Sequence, residues 1–300
     1  MAQEDIFIGF DIGGTKVHGL VAQRDGAILA ELRQPTQVAG GAALVAQLQE
    51  MQEGLCHAVG IQLPTAIGLG LPAAVDPISK RLSVIPNIAN MEGEGFYPRL
   101  RGAFSCPIAM ENDVNCAALA EAWTGGGEDS LAFVAIGTGI GMGIVSGGKL
   151  LRGAAGAAGE IAYLPLGGDL SLAEIRQAGA LEHHLGGEGW RRGYLRHGGQ
   201  SDPDLATLFA TPDRAFKHVI AEQADLLARA LLAVQAVIAP EAVVLGGSIG
   251  AQPLLLEALQ ARLSLYLPQP LSVRASRLAA EAGALGAARA AMELAKLTQM

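Results

Sequence analysis

Cysteine, aromatic rings and basic side chains are all scarce in this 300-residue chain. Its three cysteines, Cys56, Cys106 and Cys116, form no CxxC pair and leave an odd count. That pattern argues against a disulfide framework, and reduced, buried thiols in a cytoplasmic protein are expected. Lys and Arg number 21 against 29 Asp and Glu, a formal net charge of −8. The balance argues against nucleic acid as a general partner, because phosphate contacts need clustered cations. The nearest cluster, Arg191-Arg192 to Arg196, is short and reads as a solvated face. No uninterrupted apolar run reaches the roughly 18 residues of a membrane span. The most hydrophobic helical region, Leu226 to Ile238, is broken by Arg229 and Gln235. The start, Met1-Ala2-Gln3-Glu4-Asp5, lacks the basic and apolar regions of a secretory signal.

Glycine and apolar residues are abundant instead: forty glycines, and half the chain hydrophobic. A substantial core with many tight turns follows, in one large domain or two of about 150 residues. The stretch Phe7-Ile8-Gly9-Phe10-Asp11-Ile12-Gly13-Gly14-Thr15-Lys16 is the most informative. It reads as an apolar strand, an acidic residue, and a glycine turn carrying a hydroxyl and a lysine. Glycines let backbone N–H groups approach an anion closely. An Asp just before them repels a phosphate unless a divalent metal lies between the two. Alone, the motif also fits a plain Gly-Gly hairpin between core strands.

A second copy of the pattern follows about one domain length later. Leu131 to Ile136 is another apolar strand, then come Gly137-Thr138-Gly139-Ile140-Gly141 and the apolar run Met142 to Val145. Each copy reaches a tight turn, Asp25-Gly26 or Gly147-Gly148, and a third strand-like stretch, Ala27 to Leu32 or Lys149 to Leu151. A duplicated fold with two phosphate loops facing each other across a cleft is expected. Neither loop is a Walker A sequence, and neither strand feeds straight into a helix as a Rossmann turn does.

The remaining elements alternate. A helix is expected over Gly41 to Val59, a strand over Ala66 to Leu71, a short strand at Ile108-Ala109-Met110 and a helix over Val114 to Trp123. Residues 152 to 212 read as loop-rich with two short helices. A long helix from Asp213 to Ala239, a strand at Ala242 to Leu245, a helix from Pro253 to Leu265, a strand from Ser272 to Ser276 and a terminal helix from Leu278 to Leu297 complete an α/β pattern with mixed sheets.

Five ordered motifs then carry a resemblance. Asp11 to Lys16, Glu111-Asn112-Asp113-Val114-Asn115, Gly137 to Gly141, Gly159-Glu160-Ile161 and Leu245-Gly246-Gly247 stand in the order and spacing of the ROK family of sugar kinases. The resemblance covers essentially the whole chain. It implies duplicated actin-like ATPase (ribonuclease H-like) domains flanking a cleft: a smaller one over residues 1–123 with the helix at about 284–300 packed back on it, and a larger one over 124–283. ROK proteins are sugar kinases or sugar-sensing repressors. With the first strand beginning near residue 6, no helix-turn-helix is expected ahead of it.

What the resemblance implies can be placed residue by residue. Phosphoryl transfer needs in-line positioning, charge neutralisation and an acceptor for the hydroxyl proton. Asp113 is the implied general base, although Asn112 or Asp113 would equally serve to cap the following helix. A helix N-terminus is expected to lower the carboxylate's pKa, keeping it ionised. Asp11 is implied to hold Mg²⁺ through water, with Gly13, Gly14, Thr15 and Lys16 on the ATP phosphates. Gly137, Thr138 and Gly139 form the second phosphate loop, and Gly246 and Gly247 approach the adenosine. Asn87, Asn112, Asp113, Glu160 and Glu182 are the implied sugar ligands, and Tyr163 joins them where the family commonly has histidine. Ala73 replaces a family glycine in Pro72 to Asp76. The family's cysteine-rich zinc segment is reduced to Gly179-Ala180-Leu181-Glu182, and no cysteine follows residue 116. Structural zinc needs four N/S ligands, so no zinc is expected. ATP, Mg²⁺ and a small sugar are the implied partners, in a cytoplasmic homodimer or homotetramer. A catalytically silent sugar-binding sensor and a kinase for a non-glucose acceptor are the alternatives.

Overall fold

The computed structural model describes residues 5–82, 88–91, 95–200, 204–267 and 271–298. Two five-stranded sheets organise them. The first contains β1 (Phe7–Ile12), β2 (Lys16–Ala22), β3 (Ile28–Pro35), β4 (Ala66–Leu71) and β5 (Ile108–Asn112), in the order β3-β2-β1-β4-β5. The second contains β6 (Leu131–Ile136), β7 (Ile140–Ser146), β8 (Lys149–Leu150), β9 (Ala242–Gly246) and β10 (Val273–Ala275), in the order β8-β7-β6-β9-β10. Each sheet therefore places a three-stranded meander beside two later strands. In the first, β1 pairs antiparallel with β2 and parallel with β4. In the second, β6 pairs parallel with β9, and β9 with β10. One topology occurs twice.

The helices are α1 (Gly41–Val59), α2 (Phe96–Ala103), α3 (Asp113–Ala120), α4 (Ala173–Ala178), α5 (Ala180–Leu185), α6 (Gly187–Arg196), α7 (Leu205–Ala210), α8 (Arg214–Ile238), α9 (Gly247–Gly250), α10 (Pro253–Tyr266) and α11 (Ala282–Thr298). By its contacts the chain divides into two compact units. One is Met1–Gly127 with Gly143–Ala158 and Ala280–Met300; the other is Glu128–Met142 with Gly159–Ala279. Residues 143–158 thus join the first unit, which the sequence does not suggest. Two contacts bind them there. A Cβ on Gly143 would lie 2.7 Å from the Val114 carbonyl of α3, and the Arg152 guanidinium pairs with Glu111 at 2.6 Å.

Alternation along two strands explains the first unit. Strand side chains point to opposite faces in turn. In β1, Ile8, Phe10 and Ile12 enter the core beneath α1, and in β4, Ile67, Leu69 and Leu71 do the same. On the other face, beyond Phe7 at one end, the residues are small: Gly9 on β1 and Ala66, Gly68 and Gly70 on β4. Against it lies α11, whose inner face is mostly alanine. A Cβ added to Gly9 would sit 1.9 Å from the Ala284 carbonyl, and one on Gly68 1.8 Å from that of Ala287. Helix and sheet backbones therefore touch almost directly. Asp11 stands on this same small-residue face, its carboxyl against Gly283 at the start of α11.

In the second unit, Ala132, Val134 and Ile136 of β6 and Val243 and Leu245 of β9 form the core with α8. Trp190 is fully buried there against Phe209 and Phe216, with ring centroids 5.1 and 5.8 Å away. Its indole N–H donates to the Leu185 carbonyl at 3.0 Å, satisfying the buried polar atom. Residues 152 to 212 contain four short α-helices where two are expected. No helix among the described residues is long and apolar enough to cross a membrane.

Candidate active site

In the first unit the candidate residues gather at the ends of β1 and β5. Asn112, the last residue of β5, caps α3: its Oδ1 accepts the N–H groups of Val114 at 2.9 Å and Asn115 at 3.1 Å. Its amide also donates to the Ala73 carbonyl at 3.3 Å. Capping thus falls to Asn112, and Asp113 becomes the first helical residue, accepting one N–H from Val114 at 2.8 Å. The expected drop in its pKa does not follow. Desolvation, and then the neighbouring Asp11 charge, push the Asp113 carboxyl up to about 7, outweighing the backbone N–H groups. Burial likewise raises Asp11, opposed by His18 and Lys16. The turn after β1 is closed by the Gly13 N–H donating to the Lys16 carbonyl at 2.9 Å, and Thr36 steadies it by donating to the Gly13 carbonyl at 2.6 Å. Gly14 is half-buried, while Thr15 and Lys16 are exposed. Asn87 lies outside the described residues.

A charged network beneath Asp113 was not legible from sequence. Glu111 is 5% exposed, and three donors converge on its carboxylate: Arg152 Nε at 2.6 Å, Asn115 Nδ2 at 2.9 Å and the Asn112 N–H at 3.1 Å.

In the second unit the turn after β6 is closed the same way, the Gly137 N–H donating to the Gly139 carbonyl at 2.9 Å. The Gly187 N–H, at the start of α6, donates to the carbonyls of Gly137 and Thr138 at 2.9 and 3.0 Å. Glu182 props the turn from beneath: its Oε2 accepts the Ile140 N–H at 3.0 Å, and a Cβ on Gly139 would lie 2.4 Å from that oxygen. Beside the turn is a cavity of about 350 Å³ lined by Thr138, Gly187, Arg191, Asp204, Ser248 and Gln252, among others. That volume is within the usual range for small-molecule pockets. Of the expected adenosine glycines, Gly246 is buried, and a Cβ there would strike the Phe133 ring at 2.3 Å. Packing accounts for it. Gly247 is exposed, with φ of 80° and the Ile136 carbonyl 2.3 Å from where its Cβ would be. It turns the chain so that Ser248 lines the cavity. The adjoining Gly186-Gly187 pair is the signal that sequence reading passed over.

Glu160 is exposed and precedes a 3₁₀ turn over Ile161–Tyr163. Tyr163 is 58% exposed, so its ring is not packed away among the neighbouring apolar residues. The His183 and His184 rings meet edge-on at 5.2 Å. Among the described residues no three His, Cys, Asp or Glu lie together so as to hold a metal ion on protein ligands alone.

A topology used twice, with a glycine turn after the leading strand of each copy, is the architecture of the actin-like ATPase fold. The chain belongs to the ROK family, whose sequence profile matches residues 7–295. A ROK hexokinase from Thermus thermophilus superposes with a TM-score of 0.85 at 31% identity, covering 97% of this chain and 99% of that one. An N-acetyl-D-glucosamine kinase from Vibrio parahaemolyticus is 28% identical over 87% of this chain and 90% of its own. A ROK glucokinase from Streptomyces griseus, solved with glucose and AMPPNP, shares the fold (TM-score 0.76, 24% identity, 96% and 99% covered). This chain is an enzyme of the family's sugar-kinase class.

Proposed function

We propose that the protein transfers the γ-phosphoryl group of ATP to the primary hydroxyl of a hexose or a closely related sugar. The observation that carries this reading is the placement of Asp113 at the corner where β5 ends and α3 begins, capped by Asn112 and beside Asp11, with burial pushing its carboxyl up to about 7. A base works best when its pKa lies near the working pH. Because the transition state of phosphoryl transfer is loose, Asp113 has mainly to orient the hydroxyl and accept its proton late. Asn112 Nδ2 and the carboxylates of Glu160 and Glu182 suit the vicinal hydroxyls of a sugar. Asn87 is the further sugar ligand in this reading. Glu182 keeps Oε1 for that purpose while Oε2 props the Gly139 turn.

The backbone N–H groups of Gly14 and Thr15, and those of Thr138 and Gly139, are the phosphate donors in this reading, on turns that the Gly13 and Gly137 N–H groups close. Lys16 adds a cation within reach of the first turn. The cavity beside Ser248 takes the adenosine. The donor set fits a magnesium ion: two carboxylates, Asp11 and Asp113, repel each other in a partly dry corner, and Mg²⁺ is ordinarily held by one or two carboxylates together with substrate phosphates and water. When bound, the ion neutralises charge on the transferring group. Asp11 is the residue that would hold it, through water.

A coupled ADP-release assay over glucose, mannose, fructose, N-acetylglucosamine and N-acetylmannosamine tests the reading, with the product located by phosphorus NMR. Release with at least one sugar and a 6-phosphate product is expected. Binding of a sugar by calorimetry without any ADP release would instead identify a silent sensor.

Sugar choice is expected to depend on Tyr163. Its exposure makes Tyr163→Phe neutral for folding. Loss of one hydrogen bond, worth about 0.5–1.5 kcal/mol, should raise KM several-fold for the preferred sugar or alter the ranking of epimers. Unchanged KM on every accepted sugar would remove Tyr163 from the site.

A further inference from the structure

Glu111 and Arg152 stand outside every role described so far. Glu111 is the residue of β5 two before Asp113, and a carboxylate at 5% exposure is costly unless it is paired and hydrogen-bonded. Here it is both. Each of its three donors belongs to the corner that carries Asp113 or to the segment across from it. The Asn112 N–H fixes the backbone one residue ahead of Asp113, the Asn115 amide fixes the first turn of α3, and Arg152 Nε comes from the loop after β8. Arg152 is itself anchored, its carbonyl accepting the Ala158 N–H at 3.0 Å. The guanidinium is 36% exposed and the carboxylate 6%, so the arginine reaches in from the surface to neutralise a charge in the interior.

The charge environment agrees. The thiol of Cys116, one turn along α3, is pushed well up by burial and by the charges of Glu111, Asp11 and Asp113, and Arg152 opposes them. Three carboxylates thus share one corner, with Arg152 acting against them from the side of Glu111 and Lys16 and His18 acting on Asp11. Simple stability does not call for such a pair, since apolar residues of similar volume commonly do as well. Orientation does: with its carboxylate fixed by three directional bonds, Glu111 sets the angle at which β5 turns into α3, and hence where the Asp113 carboxylate points.

We infer that Glu111 and Arg152 are positioning residues for phosphoryl transfer, a buried ion pair that holds the strand–helix corner so that Asp113 meets the acceptor hydroxyl. The inference rests on the kinase reading with Asp113 as base. Glu111→Gln keeps the volume but turns an N–H₂ group toward one of the three donors. It is expected to lower kcat about thirtyfold or more, with KM for sugar and for ATP within about threefold. Arg152→Met should act in the same direction, and Arg152→Lys, which keeps the charge, should recover much of the loss. Because Arg152 is partly exposed, its variants remain informative even if Glu111→Gln fails to fold.

The deciding measurement is a double-mutant cycle. If Glu111 acts through Asp113, the kcat penalty of Glu111→Gln largely vanishes in an Asp113→Asn background. An equal penalty in both backgrounds, an effect confined to KM, or wild-type kcat in Glu111→Gln and Arg152→Met would overturn the inference. Absence of any activity in the wild-type protein on the sugar panel would instead overturn the kinase reading itself.

Discussion

Asp113→Asn is expected to lower kcat by at least about a hundredfold while sugar affinity stays within a few-fold, as general-base losses ordinarily do. Asparagine keeps the shape and accepts the same Val114 N–H, but it takes no proton. The same substitution should also stabilise the fold. The Asp113 carboxyl titrates near 7 in the folded protein against an ordinary 3.8. Between those values the folded state holds a proton that the unfolded chain has released, so this group favours folding below pH 4 and loses that contribution as pH rises through 7. At pH 8 nearly the full cost is present, about 4 kcal/mol. Melts of wild type and Asp113→Asn, run with a chelator, should therefore diverge at pH 8, the variant being higher, and converge near pH 4. Near-normal turnover would remove Asp113 from the mechanism. Equal melting temperatures at pH 8 would mean that the carboxyl is not strained in its corner.

Gly286→Ala should be among the most damaging single-methyl changes in the chain. A Cβ at residue 286 would lie 1.7 Å from the Cys116 carbonyl oxygen and 2.3 Å from its carbon. Both partners are helix backbone, which has no rotamer into which to retreat. Either α11 lifts off α3 or α3 shifts, and α3 begins with Asp113. Overpacking of this kind costs about 3 kcal/mol or more, roughly 6–12 °C in Tm for a unit of this size. Gly102→Ala is the control. Nothing lies within 4 Å of its Cβ, and it sits within α2, so the change should leave Tm unchanged or slightly raised. Equal melting of the two variants would contradict the close approach of α11.

Much of the fold was legible because the chain punctuates itself. Gly40-Gly41 and Gly60 bound α1, Pro253 opens α10, and both β-meanders announce themselves by glycine turns. α2 was not legible: only Phe96 and Leu100 are buried in its eight residues, too few to set a period. The helix expected to reach Trp123 instead ends at Ala120 and continues as a π-turn over Glu121–Gly125. There the buried Glu121 carboxylate lies against Gly125, a contact that no local pattern reports.

The site shows the same division. Asp11, Asp113 and the two glycine turns follow from short motifs, whose spacing is local. Glu111 pairs with a residue 41 positions away, and Glu182 with a backbone N–H 42 positions away. Neither partnership has a sequence signature. The rise in the Asp113 pKa escaped for a related reason. Capping geometry, which argues for a lowered value, is local, whereas desolvation and the approach of Asp11 arise only when β1 and β5 share a sheet.

The unit that begins the chain is completed by its last helix, and this has a consequence during synthesis. After residue 158 the ribosome must add about 120 residues before α11 exists. At about 5–20 residues per second that is a wait of roughly 6–25 s. Throughout it, the glycine-lined face of the first sheet has no cover, and Asp11 and Asp113 share their corner without the helix that shields it. The nascent chain thus carries an open, sticky platform until α11 has been made. Its yield in a cell should accordingly depend on chaperones that guard unfinished chains, and slow codons late in the message should depress it more than slow codons early.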